Sequence, residues 1–359
     1  MKVLYGSQIF NLQRWGGISR YIYTLCKYSD KEFDYKVSGV YSDNIYAEKI
    51  SNLKHFPIKS SFKGKLRIIN YCNYFNDRME LKKSNFDIYH PTYYNINHLD
   101  CKKPIVITAH DFIDELFREI RPGNDYIINA KIHALEKADK IIAISNNTKN
   151  DILKIYPHIN PSKIEVVYHA IEWTLGEKHK MNISLDKPYI LFTGQRDNYK
   201  NFQFFLESIA SILLENNIYL VCTGAKFSEY ETQMIESLNL NNNVVHVFAN
   251  EDELKALYEN SICFVYPSLY EGFGLPILEA FASETPAILA NASCFPEIAQ
   301  DAALYFDPRS MDDIKNQINK ILQSESLRKD LISKGSIRFK DFSINNMIHN
   351  TAMVYKSLL

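Results

Sequence analysis

The sequence predicts an α/β protein built from two doubly wound, Rossmann-like parallel sheets in succession, and three observations carry that expectation. Short apolar runs alternate with segments of helical period over both halves of the chain, the arrangement that joins parallel strands by crossover helices. A polar stretch without regular patterning, Glu172–Lys187, separates one such series from the next. At 359 residues, with 46% of them hydrophobic and both signs of charge abundant, the chain is long and apolar enough to fill two cores.

Taken in order, Met1–Tyr5 reads as a strand. Gly16 and Gly17 then precede ISRYIYTLCKY, where Ile18, Ile22 and Leu25 recur at helical spacing, giving strand, glycine loop and helix. Such a loop offers backbone amides at a helix N-terminus beside a strand's carboxyl end, where open α/β sheets bind ligands; a glycine turn kept for packing would look the same. The spacing is not G-x-G-x-x-G, so the dinucleotide fingerprint is absent. Strand-like runs follow at 35–41, 86–91, 105–110, 140–145 and 164–170. His110 stands just past the strand Ile105–Ala109, a position open to a structural or a catalytic role. Residues 58–83 interleave Lys59, Lys63, Lys65, Arg67, Arg78, Lys82 and Lys83 with Phe62, Ile68, Ile69, Tyr71, Tyr74 and Phe75. That mixture fits either an interfacial helix or a solvated basic helix packing its aromatics inward.

The second series has strand-like runs at 189–194, 218–224, 244–248, 262–267, 286–291 and 303–308, then helical patterns at Met311–Gln323, Leu327–Phe339 and Ile344–Leu359. The expected organisation is a first domain over 1–172, a linker over 173–187, a second domain over 188–342 and a closing helix over 343–359.

The chemistry concentrates in ICFVYPSLYEGFGLPILEAFASETPAIL, residues 262–289. Gly272 and Gly274 let the backbone approach a ligand, and Pro276 suits the first turn of a helix, where its missing N–H costs nothing. Amides at that turn would face an anion or a hydroxyl-rich ligand. Glu271 precedes the glycines and Glu279 lies in the first turn or so of the helix; a capping or dipole role would explain either one singly. After the run at 189–194 comes Gln195-Arg196-Asp197-Asn198-Tyr199-Lys200-Asn201, two cations four apart at another strand's carboxyl end, suited to a diphosphate.

PSLYEGFGLPILEA, with its two glutamates eight positions apart, closely resembles the donor-sugar loop of retaining nucleotide-sugar glycosyltransferases of family 4, and GQRDNYKNF and TAHDFIDELF resemble further segments of the same enzymes. The resemblance implies the GT-B fold, two Rossmann-like domains facing across a cleft, with the terminal helix returning to the first domain. It implies that Glu271, Phe273, Gly274 and Leu275 hold the donor sugar together with Gly272. Glu279 would bind the ribose, Arg196 and Lys200 the diphosphate, and Gly16 and Gly17 would approach the donor phosphates, with His110 beside the reacting sugar. Retention of anomeric configuration, with the leaving phosphate taking the acceptor's proton, is implied in the same way. Glu284 stands where the family commonly has glycine, and His169-Ala170 where Asn-Gly is frequent.

A glycoside hydrolase needs a carboxylic acid to protonate a poor leaving alcohol, whereas a diphosphate can depart against cations alone. The chain has no Asp-x-Asp, Walker loop or zinc spacing, so no metal site and no cofactor is expected, the nucleotide sugar being a substrate.

The net charge of −1 divides unevenly, with 25 Lys and Arg against 18 Asp and Glu in residues 1–170, and 16 against 24 in the remainder. A basic excess of that size would suit nucleic acid, an anionic membrane or a phosphorylated acceptor, without choosing among them. Six scattered cysteines without a C-x-x-C pair suggest a reducing compartment, and no apolar run reaches the roughly 18 residues that span a bilayer. The expectation is a cytoplasmic glycosyltransferase, peripheral at the inner face of the membrane. It would move a hexose, with mannose from GDP-mannose as the leading case, to a surface glycan such as O-antigen or capsule on a lipid diphosphate carrier, with no nucleic-acid partner. A nucleotide-sugar 2-epimerase on the same fold and a non-catalytic carbohydrate- or nucleotide-binding module are the competing functions; acceptor-dependent release of nucleoside diphosphate separates the first, and donor binding without turnover marks the second.

Overall fold

The computed structural model describes residues 1–51, 53, 55–57, 64–95, 100–196 and 198–359, which divide into two units: Met1–His169 with Ile344–Leu359, and Ala170–Ser343. Lys59, Phe62, Lys63 and Asp197 lie outside the described residues.

In the first unit the strands are β1 (Lys2–Tyr5), β2 (Asp34–Val37), β3 (Val40–Ser42), β4 (His55–Pro57), β5 (Ile88–His90), β6 (Val106–Ala109), β7 (Lys140–Ala143) and β8 (Ile164–Val166). All pairings are parallel: β2-β1-β5, β6-β7-β8, and a separate pair β3-β4. A parallel bridge between Tyr89 and Ile105 carries the first row on to the second. The run predicted as one strand over 35–41 is two, belonging to different sheets. Ser38 N–H still bonds the Tyr5 carbonyl, but the Gly39 carbonyl and Tyr41 N–H bond instead to Asn76 and Asn73, on the helix Lys65–Lys83, and these side chains end the ladder. The predicted passage from β1 to the glycine loop is also interrupted, by a short helix Gln8–Leu12 that buries Ile9 and Phe10.

The terminal helix Ile344–Lys356 packs on the first unit, as expected from the resemblance. Tyr355 is fully buried there, its hydroxyl 3.1 Å from that of Tyr5 and 2.6 Å from His90 Nδ1, with Phe33 edge-on to its ring. A polar tip satisfied inside an apolar contact fixes the register of the helix as well as its attachment.

The second unit holds β9 (Tyr189–Phe192), β10 (Tyr219–Cys222), β11 (Val244–His246), β12 (Cys263–Tyr266), β13 (Ala287–Ala290) and β14 (Ala303–Phe306) in one parallel sheet ordered β11-β10-β9-β12-β13-β14. β9, β12 and β13 are buried on both faces, which is why their sequences are continuous apolar runs instead of alternating ones. Strand order reverses between β9 and β12, so the crevice outside their carboxyl ends is where a doubly wound sheet accepts a ligand.

Candidate functional site

Two loops leave the sheet at that reversal. The one after β9 runs through Gly194, at φ +101°, and the short 3-10 turn Asn198–Lys200. The one after β12 is Pro267–Gly274, and it delivers the chain into the helix Leu275–Ala282. Gly274 caps that helix at φ +85°, and a Cβ there would press on Ile277 and Phe295 at 3.1 Å, so both conformation and space call for glycine.

The loops meet through charge. Lys200 Nζ donates to Glu271 Oε1 at 2.6 Å, and both side chains are largely withdrawn from solvent. The Glu271 peptide is clamped from behind: its N–H donates to Ser293 Oγ at 3.1 Å, while the Ser293 hydroxyl and Cys294 Sγ, at 3.2 Å, donate to its carbonyl. Tyr266, at the end of β12, hydrogen-bonds the Glu271 carboxylate, and burial first, then that negative charge, pushes its hydroxyl well above the usual tyrosine range. Glu271 is thus a carboxylate held at a set point, paired with one cation. A ligand with a diphosphate can draw Lys200 from it, and a sugar can take up the freed carboxylate oxygens by its hydroxyls.

Glu279 lies immediately past the first turn of the helix, which itself contains no acid. It is buried, and Tyr258 donates to its Oε2 at 3.2 Å; the same hydroxyl lies 3.1 Å from Thr193 Oγ1, on the loop leaving β9. Gly272, Phe273 and Gly274 are buried, and the Phe273 ring turns edge-on to Phe342, which leaves the backbone of this segment, with Leu275 after it, lining the start of the helix.

Arg196 departs from its expected partnership with Lys200. Its Nε donates to Glu231 Oε1 at 2.6 Å, its two terminal nitrogens donate to the carbonyls of Thr223, Ala225 and Lys226, and its guanidinium stacks on Phe227. Only 3% of the side chain is exposed. Arginine has five N–H donors in one plane, and carbonyls turned inward by the loop after β10 match that plane better than lysine could. The same loop approaches Gly194 so closely that a Cβ on Gly224 would lie 2.5 Å from the Gly194 carbonyl oxygen.

In the first unit Gly16 precedes the helix Gly17–Tyr28 in extended backbone. The Ser19 hydroxyl donates to the Gly16 carbonyl, and Ser19 N–H donates to Gln13 Oε1. His110 follows β6, its N–H donating to the Tyr94 hydroxyl at 3.1 Å, its ring stacked on His169 at 5.9 Å and edge-on to Tyr21 at 5.7 Å. Burial, reinforced by His90 and Lys131, pushes it down to about 3, so His110 is neutral at physiological pH. The turn beyond it is anchored by Lys131, whose buried ammonium donates to the Asp111 carbonyl at 2.9 Å and to Glu115 at 2.8 Å.

Sequence reasoning missed Tyr258, Ser293, Tyr266 and Glu231. Ser228-x-x-Glu231 announces itself as a capping box, and both of its bonds form, but nothing local ties Glu231 to Arg196. Among the described residues no His, Cys, Asp and Glu cluster is arranged to hold a metal ion.

Two family profiles match the chain on either side of the polar stretch, Glycosyltransferase Family 4 over residues 15–173 and Glycosyl transferases group 1 over 176–338. The chain belongs to glycosyltransferase family 4. Among curated relatives of this family 4 chain, O-antigen chain mannosyltransferase B of Escherichia coli is 28% identical over 287 residues, covering 76% of this chain and 74% of that protein. O-antigen chain mannosyltransferase RfbU of Salmonella typhimurium is 30% identical over 217 residues, covering 60% and 58%. The fold is also that of HepE from Anabaena, solved in complex with UDP-glucose, which aligns over the full length of both chains with TM-score 0.78 at 16% identity. The two Rossmann-like units and the returning helix are therefore those of a GT-B glycosyltransferase.

Proposed function

We propose that this glycosyltransferase moves a hexose from a nucleoside diphosphate sugar, with mannose from GDP-mannose as the leading case, to a growing surface glycan on a lipid diphosphate carrier, retaining the anomeric configuration. The observation that carries the donor half of this reading is the Lys200–Glu271 pair at the strand reversal, beside the N-terminus of the helix that bears Glu279. The curated relatives named as O-antigen mannosyltransferases support the choice of sugar and product.

In this reading Lys200 and the helix N-terminus receive the diphosphate and offset the charge that grows on it as the glycosidic bond lengthens. Glu271, released from Lys200, holds the sugar hydroxyls and stabilises positive charge at the ring. Glu279, steadied by Tyr258, takes the ribose hydroxyls. Arg196 acts through the loop it pins, as a positioning residue. Gly16, Gly17 and His110 are proposed contributors from the first unit, His110 as a neutral hydrogen-bonding group.

A thermal-shift screen against nucleoside diphosphates and nucleotide sugars identifies the base and sugar, and acceptor-dependent release of the nucleoside diphosphate then tests transfer. Stabilisation by GDP and GDP-mannose with release only in the presence of a glycan acceptor is the expected result. Turnover of the sugar without acceptor would point to an epimerase instead, and no response to any nucleotide would overturn the donor site.

A further inference from the structure

The helix Lys65–Lys83 sets a row of apolar side chains on its solvent side and buried polar groups on its inner side. Towards the first unit's interior it turns Asn73 and Asp77, which are 0% and 3% exposed, with Ile69 and Leu81. Towards solvent it turns Ile68, Tyr71, Phe75 and Met79, at spacings of three, four and four, so that they form one continuous stripe; Tyr71 is 72% exposed and Phe75 53%. Tyr71 and Phe75 are therefore not packed inward, while Tyr74 is half-buried.

The buried polar face determines this orientation. Asp77 accepts from the backbone N–H and hydroxyl of Ser7, at 3.1 and 2.9 Å, and from Gln8 Nε2 at 2.9 Å. Asn73 accepts from Tyr41 N–H at 2.7 Å and donates to the Tyr41 carbonyl at 2.9 Å and to Asn11. Rolling the helix to cover the stripe would strand all of these groups without partners, so the apolar face stays outside.

Charge decides what covers it. Arg67, Arg78, Lys82 and Lys83 are exposed, with Arg67 and Arg78 along one flank of the stripe and Lys83 on the other. The helix's two acids are withdrawn, Asp77 into the interior and Glu80 into bonds with Lys36 and Lys83. A second copy of the chain would set these cations against their equals, whereas an anionic lipid surface answers both the charge and the apolar stripe. We propose that the outer face of Lys65–Lys83 is a docking surface for an anionic phospholipid bilayer, with Ile68, Tyr71, Phe75 and Met79 entering the headgroup boundary and the flanking cations meeting lipid phosphates. The surface acts whether or not the second unit transfers mannose.

The test is co-sedimentation of the intact chain with phosphatidylglycerol and with phosphatidylcholine vesicles at low and high salt. The variants are Tyr71→Ser with Phe75→Ser, and Arg67→Gln with Arg78→Gln; all four side chains are exposed, and unchanged melting temperatures confirm folding. The parent should bind the anionic vesicles at low salt, and each double variant should lose partitioning on the order of tenfold. Failure of the parent to bind, or binding by the Ser variant equal to the parent's, overturns the proposal. So does a parent dimer that the Ser variant dissolves, which would make a second copy the occupant.

Discussion

Lys200 places its ammonium 2.6 Å from a carboxylate oxygen of Glu271, and this pair ties together the two loops that flank the strand reversal of the second sheet. Lys200→Ala removes the cation proposed to meet the diphosphate and leaves Glu271 as an uncompensated carboxylate where the phosphates would arrive. Turnover at saturating donor should fall roughly a hundredfold or more, with donor affinity also weakened, as steady-state kinetics on both substrates would register. Undiminished turnover would remove Lys200 from the chemistry.

Arg196 invites a different expectation from its neighbour four residues on. Every nitrogen of its guanidinium bonds to the chain's own groups, with the Glu231 carboxylate as the charged partner. Arg196→Ala leaves that carboxylate mostly buried and unpaired, so it should destabilise the second unit by about 3 kcal/mol, in the range seen when one partner of a buried ion pair is removed. Denaturant unfolding measures this. A variant as stable as the parent yet a hundredfold slower would instead put Arg196 directly on the phosphates.

Tyr258→Phe deletes one hydroxyl that bridges Thr193 and Glu279. Because a ribose contact exists in both ground and transition states, the variant should raise the donor KM with kcat nearly unchanged, by about fivefold if one hydrogen bond near 1 kcal/mol is lost. A fall in kcat at saturating donor would show that Glu279 has a role in the reacting geometry.

These residues also mark what could be read beforehand. The strands at 189–192, 263–266 and 287–290 are legible because a strand buried on both faces must be a continuous apolar run, and the Glu271–Glu279 loop is legible because its parts are adjacent in sequence. Arg196 and Glu231 are 35 residues apart, and Ser293 reaches back 22 to clamp Glu271, so their partnerships depend on how the loops after separate strands come together. The helix Lys65–Lys83 shows the same limit: its composition suits either orientation, and the distant Ser7 and Tyr41 backbones decide between them.

Charge neutralisation is assigned here to Lys200 and a helix N-terminus, so activity should persist in excess EDTA. Loss of turnover that magnesium restores would transfer that task to a metal ion.

The last expectation concerns pH and stability in the first unit. Burial holds His90 and His110 at about 3 against an ordinary 6.5, so below 6.5 the unfolded chain binds protons that the native state refuses. Their contribution is present above pH 6.5 and is lost as pH falls towards 3. Asp77 runs the other way. Burial, only partly offset by its bonds to Ser7, pushes it up to about 6 from 3.8, so the native state keeps a proton that the unfolded chain releases. That contribution is present below about pH 4 and is lost as pH rises to 6, a swing of about 3 kcal/mol for a shift of about two units. The histidines and Asp77 therefore oppose each other between pH 4 and 6, but two histidines outweigh one aspartate, so the parent's stability should rise with pH there, less steeply than the histidines alone would make it. Asp77→Asn carries a fixed cost for its altered hydrogen bonds but no ionisation, so its stability relative to the parent should improve as pH rises from 4 to 6 and then level off. Unfolding of both proteins by denaturant at several pH values measures the difference; a gap that stays constant from pH 4 to 7 would mean that Asp77 ionises normally inside the fold.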